Sequence, residues 1–390
     1  MEETNSARVD DCVNFEKLKK IKLNDDNEND DDLFKDEGSS SKNDQHSLLV
    51  AQHYNKLQEK GLKERFNSKI FYLRNFNNWI KSMLISEYLQ KIKDSIQFGS
   101  PLRVLDMCCG KGGDLLKWQK GNISYLICTD IASMSIEQCK ARYEKITAHD
   151  PPERKSFNAE FFTCDATRDR LRERYSDPSI ELNLVSCQFA FHYCFESPKQ
   201  AETMLKNVSE CLRPGGYFIG TIPDAYDIMK RQRNSRSDSF GNDIFEIKFL
   251  SDPNDLPIFG AKYNFHLDGV VDCPEFLVYF PALVKLAKKY SLKLVEVVRF
   301  EDYFHRNIGR GRNLLEKMSA VEQYGLQGNR MSRSNDNEYK HAKDFLLQRG
   351  GYDNCRRCGT LSASEWEAAC NSLHDIRLPK SQRAHRMKMF

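Results

Sequence analysis

The chain has 390 residues, 40% of them hydrophobic, with 59 Lys and Arg against 56 Asp and Glu for a formal net charge of +3. That length allows one large domain or two modest ones with an ample core. No apolar run reaches the 18 residues of a membrane span and no signal peptide heads the chain. The 13 cysteines, several of them inside strand-like apolar runs, fit a reducing compartment rather than a disulfide scaffold.

Residues 1–45 hold 14 acids and 7 Lys or Arg, which reads as a disordered acidic tail. Within it, Lys17-Leu18-Lys19-Lys20-Ile21-Lys22 is the kind of basic cluster a nuclear import signal uses. By difference the remaining residues carry 52 cations and 42 anions, a net of +10 that suits a nucleic-acid ligand. From Leu48 to Phe66 the pattern is helical, with Leu49, His53, Leu57 and Leu62 near one face, and a second helix is expected from Asn78 to Ile92. A first strand ends in Val104-Leu105-Asp106-Met107 and runs into the Gly-rich turn Cys108-Cys109-Gly110-Lys111-Gly112-Gly113-Asp114. Further apolar runs end at Asp130, at Asp165 and at Gln188. A helical stretch follows from Ser197 to Leu212, then the turn signal Pro214-Gly215-Gly216 and a strand from Tyr217 to Thr221. Strands alternating with helices predict a parallel α/β sheet with right-handed crossovers. An insertion at about 222–290 carries short strands over Ile244–Phe249 and Lys262–Leu267 and a helix over Pro274–Tyr290 that Glu275 would open, where an acid favours the helix dipole. Ser291 to Phe300 reads as a late strand.

The Gly-rich turn at the end of a first strand builds a nucleotide-type pocket. It lacks the G-x-G-x-x-G of dinucleotide sites, since Cys108 stands at the first Gly position, and Asp106 just before it would repel a pyrophosphate. A carboxylate there suits the ammonium of S-adenosylmethionine, which has no phosphate. Asp130, 24 residues on, would accept from the ribose hydroxyls, and Asp165 from the adenine amino group.

The residues then identify a family. His53-Tyr54-Asn55, the run Phe71 to Lys81, Gly110 to Trp118, Cys187-Gln188-Phe189, His192-Tyr193, Pro214 to Thr221 and Val271 to Pro281 match the eukaryotic mRNA cap guanine-N7 methyltransferases almost word for word. The chain resembles that family from about Gln45 to Trp366. The resemblance implies a Rossmann-like class I methyltransferase fold in residues 46–390. Its seven-stranded, mostly parallel sheet would carry helices on both faces, N-terminal helices and an inserted cap-binding subdomain. It implies that Lys81, Asp106, the backbone at Cys108 and Gly110, Asp130, Asp165, Gln188 and Tyr193 hold S-adenosylmethionine. It further implies that Asn77, Asn78, Lys111, Lys117, Arg142, His192 and Glu275 hold the capped 5′ end of mRNA. Chemistry supports the pairing: a carboxylate such as Glu275 can accept from both adjacent donors of guanine, His192 can donate to its carbonyl, and the three cations can meet the triphosphate. No catalytic acid or base is assigned, because the guanine nitrogen has a free lone pair and no proton to lose. The family further implies a nuclear location, a monomeric catalytic subunit, and as partners a small activating protein and the transcription machinery.

Two departures stand out. Cys108 replaces a glycine and is expected at negative φ, where its side chain would weaken cofactor binding. The family's C-terminal cap-touching tyrosine aligns to Ser372. Both motivate an alternative, a catalytically weak paralogue acting as a cap- or RNA-binding module. Cys355, Cys358, Cys370 and His374 have a zinc-like spacing, but Gly359 to Glu367 inside it matches a metal-free part of the family, so no metal is assigned.

Overall fold

The computed structural model describes residues 43–56, 61–151, 156–325, 337–349, 357–371 and 374–379. Residues 1–42 of the acidic tail with their Lys17–Lys22 cluster, Leu57, Cys355, Ser372 and residues 380–390 lie outside the described residues, while residues 43–45, the last three of the expected tail, open a helix instead. Helices α1 (Asn43–Lys56), α2 (Leu62–Phe66) and α3 (Phe71–Ser95) precede the first strand. The main sheet then builds through β1 (Arg103–Met107), α4 (Leu115–Lys120), β2 (Tyr125–Asp130), α5 (Ser133–Thr147), β3 (Asn158–Thr163), β4 (Leu182–Gln188), α6 (Pro198–Ser209) and β5 (Leu212–Ile222). An inserted unit follows: α7 (Ala225–Ser235), β6 (Ser239–Gly241), β7 (Phe245–Phe249), β8 (Lys262–Leu267) and β9 (Val271–Phe276). The chain closes with α8 (Phe280–Lys289), β10 (Glu296–Arg299), α9 (Phe300–Lys317), β11 (Glu322–Gly325), α10 (Lys340–Arg349), β12 (Arg357–Thr360), α11 (Ala363–Asn371) and β13 (His374–Pro379).

The main sheet has seven strands in the order β10-β13-β5-β4-β1-β2-β3. The five from β5 to β3 are parallel, and β13 is antiparallel to both β5 and β10. This is the class I methyltransferase arrangement expected, with the parallel strands giving most of the sheet. Its central strands β1, β2 and β4 are buried on both faces, as crossover helices require. Leu105, Ile127, Val185 and Phe218 pack with α6 and α8, while Val104, Leu126, Leu184 and Ile219 pack with α3, α4 and α5. The strand order reverses at β1 and β4, so the crevice at their carboxyl ends is where such a sheet binds its ligand. Among the described residues, no helix is long and apolar enough to cross a membrane.

Four sequence expectations are corrected. In α1 the covered side chains are His46 and Val50, while Leu48 and Leu49 are exposed. That helix packs on β9 and α5 and turns its polar residues to the ligand cavity, so its inward face is not its most apolar one. The second helix begins seven residues earlier than expected, at Phe71, because Leu73 and Phe76 already pack on α9 and α11. β5 starts at Leu212 and runs through Pro214-Gly215-Gly216 as an irregular stretch, where its register against β4 shifts between Leu182 and Leu184. A strand tolerates proline at such a bulge because no ladder N–H is needed there. Finally, Glu275 lies on β9 rather than opening a helix, and the helix begins only at Phe280. The four-stranded antiparallel sheet β6-β7-β8-β9 claims that residue through cross-strand pairing, with Tyr263 directly opposite Glu275.

Candidate active site

The carboxyl ends of β1, β2 and β4, the α3 helix, the α1 helix and the β8–β9 pair enclose a cavity of about 420 Å³. That is the size of a small-molecule site. Lys81, Asp106, Cys108, Gly110, Asp130, Asp165, Gln188, Tyr193, Asn77, Asn78, His192 and Glu275 all line it. Residues scattered from Asn77 to Glu275 thus converge on one space. Lys111, Lys117 and Arg142 are not among its lining residues.

The cofactor half is built on the turn after β1. Cys108, Gly110 and Gly112 all have left-handed backbone, with φ of 55°, 52° and 72°. The expectation of negative φ at Cys108 is therefore corrected: the turn needs left-handed geometry, and a residue with a Cβ is strained there by about 1–2 kcal/mol. Hydrogen bonds hold it in place. Cys109 N–H donates to the Thr129 carbonyl at 2.9 Å, and Gly110 N–H donates to Asp130 Oδ2 at 2.8 Å. At Gly112 a Cβ would lie 2.7 Å from both Cys139 Sγ and Leu115 Cδ1, so only glycine fits. The Cys108 thiol is pushed well above its usual range by its hydrogen bond with Cys187 and by burial, so it is neutral.

Asp130 also accepts from Ala132 N–H at 2.9 Å, and burial pushes its carboxyl up to about 6. Asp165 Oδ1 accepts from the Thr167 N–H and hydroxyl, while Oδ2 accepts no hydrogen bond and faces Arg168 Nε at 3.3 Å. Gln188 Nε2 is spent on Ser186, which leaves its buried Oε1 without a partner, as is the buried hydroxyl of Thr129. Both residues line the cavity. Asp106 is buried and accepts from the Trp118 indole at 2.9 Å; burial and the neighbouring Asp114 push its carboxyl well above the usual range.

Asp114 carries no signal of a role in the sequence. Its carboxylate pairs with Lys81 at 2.9 Å and Lys117 at 2.7 Å. Burial alone would raise it, but the two ammonium groups more than offset this and hold it at about 2. Lys117 therefore turns inward. It also donates to the Gly113 carbonyl at 3.0 Å and to Asn78 Oδ1 at 3.4 Å. Besides Lys81, a second cation of the same helix lines the cavity with Asn77 and Asn78: Arg74.

The other half is aromatic and acidic. Glu275 is 4% exposed. Its Oε2 accepts from the Tyr263 hydroxyl at 2.8 Å, and its Oε1 from the Tyr193 hydroxyl at 3.4 Å. His192 Nε2 stands 3.3 Å from Oε1, yet neither ring nitrogen makes a hydrogen bond. Burial and Glu275 push the Tyr263 hydroxyl well up, so it remains a donor. His46 closes this side, edge-on to Phe276 with ring centres 4.8 Å apart and both nitrogens unpartnered. Burial, then Lys262, pushes its imidazole down to about 4, so it is neutral at physiological pH. Nothing in the spacing of α1 marks His46, since its apolar neighbours Leu48 and Leu49 face outward.

Residues 37–374 match the mRNA (guanine-N(7))-methyltransferase domain. The chain is 57% identical over 325 residues to the mRNA cap guanine-N(7) methyltransferase of Drosophila melanogaster, covering 82% of this chain and 74% of that one. It is 39% identical to the Caenorhabditis elegans protein of the same description, covering 83% and 84%. With that of Schizosaccharomyces pombe it shares 38% over 72% of this chain and 76% of the relative.

Proposed function

The chain belongs to the mRNA (guanine-N7)-methyltransferase family, and on that premise we propose how the residues of its carboxyl-end cavity divide the work between cofactor and cap. The enzyme transfers a methyl group from S-adenosylmethionine to the seventh nitrogen of the guanine that caps an mRNA 5′ end. The observation that carries the division is the chemistry of the polar groups left over. One side of the cavity ends in acceptors with spare lone pairs, Asp130, Asp165 Oδ2 and Gln188 Oε1, and the other in a carboxylate flanked by hydroxyls and an imidazole.

These residues fit S-adenosylmethionine. Asp130 would accept from the ribose hydroxyls, Asp165 from the adenine amino group, and Gln188 with Asp106 from the ammonium. Lys81, fixed by Asp114, would meet the methionine carboxylate. The cofactor supplies a methyl group already activated on a sulfonium.

On the cap side, Glu275 would accept from both donors of the guanine edge, because each of its oxygens keeps a lone pair after the tyrosine bonds. His192 would donate to the guanine carbonyl. Asn77, Asn78 and Arg74 would hold the sugar and phosphates inside the cavity, with Lys111 and Arg142 meeting the triphosphate beyond it and Lys117 acting through Asn78. No side chain needs to take a proton. The residues align nitrogen, methyl and sulfur, and such alignment is worth up to about 7–11 kcal/mol. A nuclear location, a monomeric catalytic subunit, a small activating protein and contact with the transcription machinery belong to the same reading, supported by the nascent-transcript substrate and the family resemblance.

Three RNAs of one sequence test this: one with an unmethylated guanine cap, one with an inosine cap lacking the exocyclic amine, and one with a bare 5′ triphosphate. The expected order is fast, slower by about 10-fold or more, and none, since one hydrogen bond to a charged acceptor is worth about 1.5–3 kcal/mol. Equal rates on guanine and inosine caps would remove Glu275 from guanine recognition.

A further inference from the structure

Beneath the cofactor turn lies a cluster that methyl transfer does not use. Cys109 of the turn, Cys128 of β2 and Cys139 of α5 bring their three Sγ atoms within 4.8 Å of one another, with Cys109 and Cys139 4.0 Å apart. All three are free thiols; Cys128 and Cys139 are buried and Cys109 is half-buried. They sit in the apolar cluster of Leu115, Trp118 and Tyr143. Three sulfurs with no hard donor among them select a soft, thiophilic ion.

Charge decides which one. Three thiolates leave a net charge of −2 on a monovalent ion and −1 on a divalent one, but zero on a trivalent one. Asp106 is the register partner of Cys128 on the neighbouring strand and is itself buried. An uncompensated anion in such surroundings costs several kcal/mol, and a neutral complex avoids that cost.

We propose that Cys109, Cys128 and Cys139 form a binding site for a trivalent three-coordinate thiophile of the arsenous acid class, and that filling it disables the cofactor turn. Binding is a ligand exchange with no change of oxidation state. Three S–H and three As–OH bonds break, three As–S bonds form, and each thiol proton leaves with a hydroxide as water.

The consequence for the cofactor follows from packing and rests on the site assignment above. The turn lies directly on the sulfur, since a Cβ at Gly112 would stand 2.7 Å from Cys139 Sγ. An ion gathered among the three sulfurs draws Cys109 toward α5. The next residue, Gly110, holds the ribose acceptor Asp130 through its N–H, so that bond loosens. The coupling is reciprocal: cofactor weakens arsenic binding by the same factor.

The test uses the full chain, reduced with a phosphine and titrated with arsenite. Three readouts are taken: arsenic per chain after gel filtration, titratable thiols, and S-adenosylmethionine affinity by calorimetry. One arsenic per chain, three thiols lost and an affinity at least about 5-fold weaker are expected, the lower end of ordinary coupling. Cys139→Ala and Cys128→Ala should each bind arsenic at least about 10-fold more weakly and, with or without arsenite, bind cofactor as the arsenite-free wild type does. Cys211→Ala, in the other face's core, should behave as wild type. Two variants keep the test alive if one fails to fold. Unchanged arsenic affinity in the folded variants, or fewer than three thiols lost per arsenic, overturns the site. An intact thiol site with undiminished cofactor affinity overturns the coupling. Absence of cofactor binding before any arsenite is added counts against the cofactor assignment instead, and the arsenic stoichiometry still judges the thiols.

Discussion

Replacing Glu275 by Gln keeps its shape and removes its charge. In the structure Tyr263 donates to Oε2 at 2.8 Å and Tyr193 to Oε1 at 3.4 Å. An amide offers one acceptor and one donor in their place. One tyrosine hydroxyl then faces an N–H, and one guanine donor meets another donor instead of a carboxylate. Hydrogen bonds to charged groups contribute about 1.5–3 kcal/mol, and leaving a buried donor unmet costs about 1–3 kcal/mol. A loss of about 2–4 kcal/mol in the transition-state complex follows, or roughly 30- to 1000-fold in kcat/KM for capped RNA. Stability should fall by at most about 1–3 kcal/mol, the cost of the unmet tyrosine donor, offset in part because a buried carboxylate is exchanged for a neutral isostere. Cofactor affinity should be unchanged, since Asp130, Asp165 and Gln188 are untouched. The assay pairs steady-state transfer of labelled methyl to capped RNA with calorimetric titration of S-adenosylmethionine. A kcat/KM within about 3-fold of wild type would refute the reasoning. So would a loss of cofactor binding as large as the loss of rate.

Three further outcomes follow from the cofactor half. Cys108→Gly relieves left-handed strain at φ 55° but gives up side-chain packing and backbone entropy, so melting should move little. Removing a side chain that lines the cavity should tighten S-adenosylmethionine binding by at least about 3-fold, and equal dissociation constants would show that the thiol is no obstacle. Burial raises the Asp130 carboxyl to about 6, and its carboxylate is the form that would accept from ribose in the proposed site. Cofactor affinity should therefore fall about 10-fold as pH drops from 8 to 5, a decline that Asp130→Asn should lack; a flat wild-type profile contradicts the role. Asp114→Asn strands Lys81 and Lys117 without their counter-ion and should destabilise the protein by about 3–5 kcal/mol in urea unfolding. Because the Asp114 carboxyl titrates at about 2 in the fold and 3.8 in its ordinary state, its contribution is present above about pH 4 and fades as pH falls toward 2. Unchanged unfolding midpoints at neutral pH would show the hub to be dispensable.

Much of the cofactor half was legible because it is written along single strands. Apolar runs ending in Asp106, Asp130 and Asp165, with a Gly-rich turn between the first two, place three carboxyls at one edge of a parallel sheet. The cap half was less legible because cross-strand pairing creates it. Glu275 after Pro274 reads locally as a helix start, and only the antiparallel partner carrying Tyr263 makes it a strand residue. His46 and Asp114 left no pattern at all: one faces the cavity from the less apolar side of its helix, and the other gains its role from a lysine 33 residues away. At Cys108 the residue type argued for negative φ, but the Cys109 and Gly110 hydrogen bonds fix the turn and override it.

We propose that this enzyme moves no proton and works by alignment alone. The measurement that tests this most directly is the single-turnover rate of methyl transfer at saturating S-adenosylmethionine and capped RNA, followed from about pH 6.5 to about pH 8.5. A flat profile is expected, in the wild type and in His192→Gln alike, with the latter merely slower. A rate that climbs along one ionisation in the wild type and loses that dependence in His192→Gln would make His192 a general base and contradict the account.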